Sequence, residues 1–444
     1  MTYSPHTEAD RAAMLRAIGA ASLDELLAQI PAELRAGVAD WPAALAAPEL
    51  LAHARALAAK NKPLACFAGG GARDRFVPAA VKALTQRGEF LTAYTPYQAE
   101  ASQGTLQAIY EFQSSVCALY GMDAANASLY DGATALAEAV AAAARIAGRK
   151  KILLPESLHP EWRAVLATYF AAKGEPIFET LPCPAGRLEP GELAQRLDET
   201  VAAVVVATPN FFGVLEDGAG IAALARAQGA LTIAVADPVS LGVLEAPGAW
   251  GADFAVGEGQ GLGNALNYGG PYLGLFACKK AHVRHVPGRI CGLTTDADGK
   301  RGFVLTLQAR EQHIRRERAA SNVCSNEALC ALAATIHLAL LGPQGLREVA
   351  ELSVDKAHRL AEKLAAVPGF RLRFAGPFFD EFALECPVPA ERVRNALLKE
   401  GLLAGIPLGN YDPAWKNVLL VGATEQRTDE EIDRFAAALG RVAK

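Results

Sequence analysis

Apolar and polar positions change their spacing along this chain, and the changes divide it. Up to about residue 60, apolar residues recur in short helical blocks separated by proline-bearing turns, with no alternating stretch. Ser22-Leu23-Asp24-Glu25 before an apolar run reads as a capping box with Ser22 as N-cap. This arm of short amphipathic helices is expected to pack over something larger. A turn at Gly69-Gly70-Gly71 follows, then a helix near Val77–Gln86 and a loop rich in Tyr and Pro. A long helix is predicted from Ser102 to Tyr120, because Leu106, Ile109, Tyr110, Val116, Cys117 and Tyr120 keep the 3.6-residue period and Gly121 offers a stop.

From about 150 to 280 continuous apolar runs alternate with helical ones. Strands are predicted at Lys151–Leu154, Ile177–Thr180, Ala202–Val206, Thr232–Ala236, Phe254–Val256 and Tyr272–Ala277. Helices are predicted at His159–Lys173, Glu192–Leu197 and Ile221–Gln228, after an Ala-rich helix at Ala133–Ala144. Such alternation implies an α/β fold with a mostly parallel sheet covered on both faces, whose ligands meet the carboxyl edge. After about residue 305 the helices lengthen, and strands near Phe382–Leu384 and Val418–Val421 suggest a smaller α+β domain. The expected organisation is a helical arm over 1–60, a large domain over 61–310 and a small C-terminal domain over 311–444.

Composition narrows the function classes. A chain of 444 residues exceeds what one core usually serves, about 250–300 residues. With 51% hydrophobic residues, 20% charged and a net charge of −5, it offers no nucleic-acid surface. The densest basic stretch, Arg310 to Arg318 with Arg315 and Arg316, is either a solvated helix face or a docking patch for an acidic partner. The eight cysteines include no CxxC pair and no His at metal-ligand spacing, so buried reduced thiols in a cytoplasmic setting are expected. The polar, acidic start gives no secretory signal, and no uninterrupted apolar run of about 18 residues suggests a membrane span.

Three loops carry candidate chemistry. Ser128-Leu129-Tyr130-Asp131-Gly132-Ala133-Thr134 opens the Ala-rich helix, where small residues such as Gly132 and Thr134 leave N–H groups for an anion, or simply cap the helix. His159, after a strand and before a helix, would stack on a flat ring or cap the helix. Asp237 ends the strand Thr232–Ala236, where it would hold a pyridinium proton or serve as a turn cap. In that order the loops suit a phosphate, a ring face and a ring nitrogen, as in pyridoxal phosphate enzymes. A Schiff-base lysine should follow within a few tens of residues. None occurs from Gly174 to Cys278, and Lys279 and Lys280 come after a strand. A complete pyridoxal site is therefore not expected. No GxGxxG in a βαβ context suggests a nicotinamide site either.

The longest motif is Phe90-Leu91-Thr92-Ala93-Tyr94-Thr95-Pro96-Tyr97-Gln98-Ala99-Glu100-Ala101-Ser102-Gln103-Gly104. It resembles the TAYTPYQxExSQG signature of glycine cleavage system P-proteins. Ala125-Asn126-Ala127-Ser128, Tyr130-Asp131-Gly132, Ala236-Asp237-Pro238 and Gln308-Ala309-Arg310-Glu311-Gln312-His313-Ile314-Arg315-Arg316 add to the resemblance. It covers nearly the whole chain and matches the alpha subunit of two-subunit P-proteins, or the N-terminal half of fused ones.

The resemblance implies a PLP-dependent transferase-like fold of the aspartate aminotransferase type (fold type I). It implies an enzyme that decarboxylates glycine with pyridoxal phosphate and passes the aminomethyl group to the lipoyl arm of H-protein. It puts the catalytic lysine in a beta subunit, in a motif like Asn-Leu-His-Lys, within an assembly of two alpha and two beta chains. Against that motif this chain has Glu258-Gly259-Gln260-Gly261, with Gly261 at the lysine's place. Gly132, Thr134, His159 and Asp237 would then be remnants of a cofactor site, and Tyr94, Thr95, Tyr97, Glu100 and Gln103 would face the beta subunit's pocket. Two other readings stay open: a self-sufficient pyridoxal enzyme using Lys279 or Lys280, and a non-catalytic scaffold or regulatory subunit.

Overall fold

The computed structural model describes residues 5–35, 40–172 and 174–442. Two compact units are present, residues 1–62 and 63–444.

In the first unit helices Glu8–Ile18, Leu23–Leu27 and Ala47–Ala58 alternate with turns, and Ser22 caps the second through the Glu25 N–H. None of its described residues is buried; Met14, Leu26, Leu50 and Trp41 all face outward. The described residues of this unit thus form no buried core.

The second unit is built on a seven-stranded sheet. Its strands are β1 (Ala124–Ala125), β2 (Lys151–Pro155), β3 (Ile177–Leu181), β4 (Val201–Ala207), β5 (Leu231–Val235), β6 (Phe254–Glu258) and β7 (Gly274–Cys278), in the order β1-β7-β6-β5-β4-β2-β3. Neighbours from β3 to β6 run parallel; β7 is antiparallel to β6, and β1 to β7. β4 is buried at every residue, which is why its sequence is apolar without alternation. Helices α1 (Gln103–Tyr120), α2 (Gly132–Ala147), α3 (Pro160–Phe170), α4 (Pro190–Arg196) and α5 (Gly218–Ala227) cover the two faces. The helix expected to run to Lys173 ends at Phe170, and Lys173 lies outside the described residues. α2 buries ten of its residues, mostly alanines, because small side chains let it approach β4 to β7 closely.

A hairpin follows, β8 (Ile290–Thr295) with β9 (Arg301–Thr306). Then come α6 (Ala328–Ala365), β10 (Arg371–Leu372), β11 (Glu381–Glu385), α7 (Ala390–Lys399), β12 (Ile406–Pro407), β13 (Val418–Gly422) and α8 (Asp429–Val442). The small sheet runs β10-β11-β13-β12, all antiparallel.

Large and small layers are joined more closely than a boundary at 310/311 implies. Ala65–Cys66 pairs in parallel with Leu402–Leu403, and Phe67 lies in the core beneath α8, against Phe435. α6 serves both layers: Cys330, Ala331 and Ala334 pack with α1, whereas Ala357, Leu360 and Leu364 pack with Phe382 and Leu384. Gly342, at φ 60, and Pro343 break it between the two. By length and composition alone α6 would cross a membrane, a property the raw sequence did not suggest; here its first half lines the protein core.

Two glutamines of α1 clamp the hairpin. Gln113 donates to Cys291 O and accepts from Cys291 N–H, both at 2.9 Å, and Gln103 does the same with Phe303 at 2.8 and 2.9 Å. Gln113→Leu leaves two buried backbone groups without partners. A loss of about 2–4 kcal/mol is expected, read as a lower urea midpoint at unchanged slope.

Candidate functional site

Loops from the carboxyl ends of β4, β5 and β6 meet at one edge of the large sheet. They enclose a cavity of about 80 Å³ lined by Arg73, His159, Trp162, Phe211, Asp237, Glu258 and Glu381, among others. The Gly-rich turn predicted at 69–71 forms one wall. Gly70 takes φ 71 and Gly71 φ 103, values that favour glycine. This turn lets the Gly70 N–H donate to Glu381 Oε1 at 2.6 Å, while Gly70 O accepts from His159 Nε2 at 2.8 Å.

His159 is fully engaged. Nδ1 accepts from the Glu161 N–H at 3.1 Å, so the ring caps α3 and carries its proton on Nε2. Phe211 lies 4.6 Å from it and Trp162 stacks at 6.4 Å, centroid to centroid. Burial lowers its pKa below the usual histidine range. The capping reading of the sequence is the one seen here, and the ring packs against the chain's own Phe211 and Trp162.

Asp237 lines the cavity, yet its Oδ1 accepts from the Val239 N–H at 2.8 Å and the Ser240 N–H at 3.4 Å, which caps the turn after β5. Thr134 is used in a capping box: Asp131 Oδ1 accepts its N–H at 2.7 Å, and Asp131 N–H donates to its hydroxyl at 3.2 Å. The Gly132 N–H, the expected anion donor, points at Glu258 Oε2 at 2.9 Å. Burial pushes Glu258 up to about 8, against backbone donors from Leu273, Gly132 and Gln260 that pull it down.

A pyridoxal phosphate group does not fit these residues. The cavity is well below the roughly 300 Å³ of a small-molecule site, the helix start is filled, and among the described residues no lysine lines the space. Gly261 lies instead beside Arg75, whose Cδ would stand 3.2 Å from a side chain there. Lys279 and Lys280 follow β7, which is antiparallel to β6, and so sit at the far edge of the sheet. Lys279 pairs there with Asp253 at 2.9 Å. Neither lysine lines the cavity.

A network that the sequence does not single out crosses the cavity wall. Arg73 pairs with Glu381 at 2.8 Å and Asp380 at 3.4 Å; Arg75 pairs with Asp380 at 2.7 Å and Glu425 at 2.9 Å. Burial pushes Glu381 up to about 7 and raises Asp380 as well. The partners lie about three hundred residues apart in sequence, so no local motif marks them. The one signal is Arg73 itself, following the glycine run.

The loop of the long motif lies elsewhere. Tyr94 is 74% exposed and Tyr97 58% exposed, and Glu100 is exposed too. The Tyr97 hydroxyl Oη accepts from Arg289 Nη2 at 3.2 Å, and His313 meets its ring edge-on at 6.1 Å. Among the described residues Thr95 Oγ1, Arg289 Nε, Arg310 Nε and Nη2, and Glu311 Oε1 are buried with no hydrogen-bond partner. Gln103 departs from expectation: both ends of its amide are taken by Phe303, so it braces the hairpin and offers no free tip. Arg315, Arg316 and Arg318 are solvated. The eight cysteines are all free; five are buried, and Cys324 is exposed, against the expectation of burial.

Sheet order, a cleft at the carboxyl edge and a small C-terminal layer define a fold type I pyridoxal-phosphate-dependent transferase fold whose own cleft lacks the cofactor's anchors. An alanine–glyoxylate aminotransferase from Nostoc sp. shares that fold, with a TM-score of 0.61 at 17% identity over 93% of this chain and 99% of the other. The family model of the glycine cleavage system P-protein matches residues 1–439, and the chain belongs to that family. A probable glycine dehydrogenase (decarboxylating) subunit 1 from Prosthecochloris aestuarii is 50% identical over the full length of both chains. The inhibitor-bound crystal structure of a glycine decarboxylase (P-protein) of the glycine cleavage system superposes with a TM-score of 0.89, at 49% identity and full coverage of both chains.

Protonating His159 would turn its Nδ1 acceptor into a donor facing the Glu161 N–H. Its folded pKa lies below the unfolded value of 6.5, so its share of stability is complete above that pH and is lost as pH falls beneath it. Between pH 7 and pH 5 the melting temperature should therefore fall further in the wild type than in His159→Asn, which keeps the cap.

Proposed function

We propose that this chain is the alpha subunit of a glycine dehydrogenase (decarboxylating), working with a beta subunit that holds pyridoxal phosphate covalently. The observation that carries the reading is a full-length match to relatives named subunit 1, joined to a cleft that has no lysine and whose anion seat is filled. The assembled enzyme decarboxylates glycine and passes the aminomethyl group to lipoylated H-protein, as an assembly of two alpha and two beta chains. Free cysteines throughout are consistent with a cytoplasmic setting.

This chain's contribution is made across the interface by the loop from Tyr94 to Glu100. Buried polar groups without partners are rare in a finished protein surface. Unpartnered buried atoms on Thr95, two residues before Tyr97, and on Arg289, which donates to the exposed Tyr97 hydroxyl, support a partner surface there. Aromatic and Arg residues suit such a surface. Gln103 is left out of this role.

Glycine decarboxylation and cofactor absorbance should be absent from the chain alone and appear on mixing with the beta subunit. A reducible Schiff base on the isolated chain would refute the reading. Tyr97→Phe removes the hydroxyl that accepts from Arg289. In the assembled enzyme it should lower kcat/KM about tenfold, with assembly unchanged by gel filtration. Unaltered kinetics would favour a scaffold role.

A further inference from the structure

The first turn of a helix leaves N–H groups without intrahelical partners, and their shared dipole favours a negative group. At the start of α2 that negative group belongs to the chain. Glu258 Oε2 accepts from Gly132 N–H at 2.9 Å, and Oε1 accepts from Gln260 N–H at 3.0 Å and Leu273 N–H at 2.9 Å. The donors come from three places: the start of α2, the loop after β6 and the residue before β7. All three donate, so these contacts match a carboxylate and offer no acceptor for a proton on it. Trp162 closes the seat from another side, since a Cβ on Gly132 would lie 2.5 Å from its ring. Arg75 closes the way toward residue 261.

We propose that Glu258 is an internal substitute for a ligand's phosphate: it satisfies the helix start and its two neighbouring donors, and it keeps phosphate-bearing ligands out of this cleft. A phosphate cannot enter without displacing the carboxylate, and two anions cannot share three donors in a buried site. The chain can thus complete its fold at this edge with no cofactor bound. The proposal is independent of the subunit assignment, because its readout is phosphate binding and not glycine turnover.

The test is thermal unfolding of the full-length chain in inorganic phosphate against sodium chloride at matched ionic strength and about pH 9, above the raised value of Glu258, so that the seat holds a carboxylate. Glu258→Ala empties the seat, and phosphate should raise its melting temperature by at least ~2 °C relative to chloride. The wild type and Glu258→Gln, where the seat stays filled, should show no such rise. No phosphate effect on Glu258→Ala, or an equal effect on the wild type, overturns the proposal. Should Glu258→Ala fail to fold in either buffer, Glu258→Gln decides. Its amide turns an N–H₂ toward N–H donors, so it should melt clearly below the wild type, and equal melting would overturn the proposal.

Discussion

A sheet buried on both faces leaves its polar chemistry nowhere to go except the strand ends, and every donor there must find a partner. That constraint governs the carboxyl edge of β4 to β6. The start of α2, the turn after β5 and the cap of α3 all present backbone N–H groups toward one small space. In this chain the partners are its own side chains: Glu258 at the helix start, Asp237 at the turn and His159 at the cap. The backbone donors at this edge are thus answered from within.

The same closure reaches the small layer through charge. Arg73 and Arg75 leave the glycine-rich turn and meet Asp380, Glu381 and Glu425 in nearly dry surroundings. Pairs of this kind add little net stability, but losing one partner leaves a buried charge and costs about 3–5 kcal/mol. The network therefore acts as a registration device between the turn and β11. It also explains why residues 65–76 belong structurally with the C-terminal layer, although they precede the large sheet in sequence.

Away from the closed cleft the molecule is unfinished. Next to Tyr97, Thr95 Oγ1 and Arg289 Nε lack hydrogen-bond partners among the described residues, although Arg289 Nη2 is bonded, and Tyr94 and Tyr97 stand in solvent. At the carboxyl edge the backbone donors are met by the chain's own side chains, whereas in this loop Thr95 Oγ1 finds no partner among the described residues.

The sequence alone determined the elements and the class. Periods of 3.6 and unbroken apolar runs are local physical signals, so α1, α2 and the strands from Lys151 to Cys278 lay within a few residues of their predicted places. The missing lysine was equally legible, because an absence over a hundred residues needs no fold to be seen. Tertiary structure decided the rest. Glu258 was visible only as a letter in Glu258-Gly259-Gln260-Gly261; its role depends on Gly132 and Leu273 converging on it from other elements. Gln103 read as a free polar tip until the hairpin, two hundred residues on, took both ends of its amide. The Arg73 and Arg75 network has the same origin. Hydrogen bonds and ion pairs act over about 3 Å, whereas sequence records only order along the chain, so contacts between distant segments are settled by packing and leave no periodic trace.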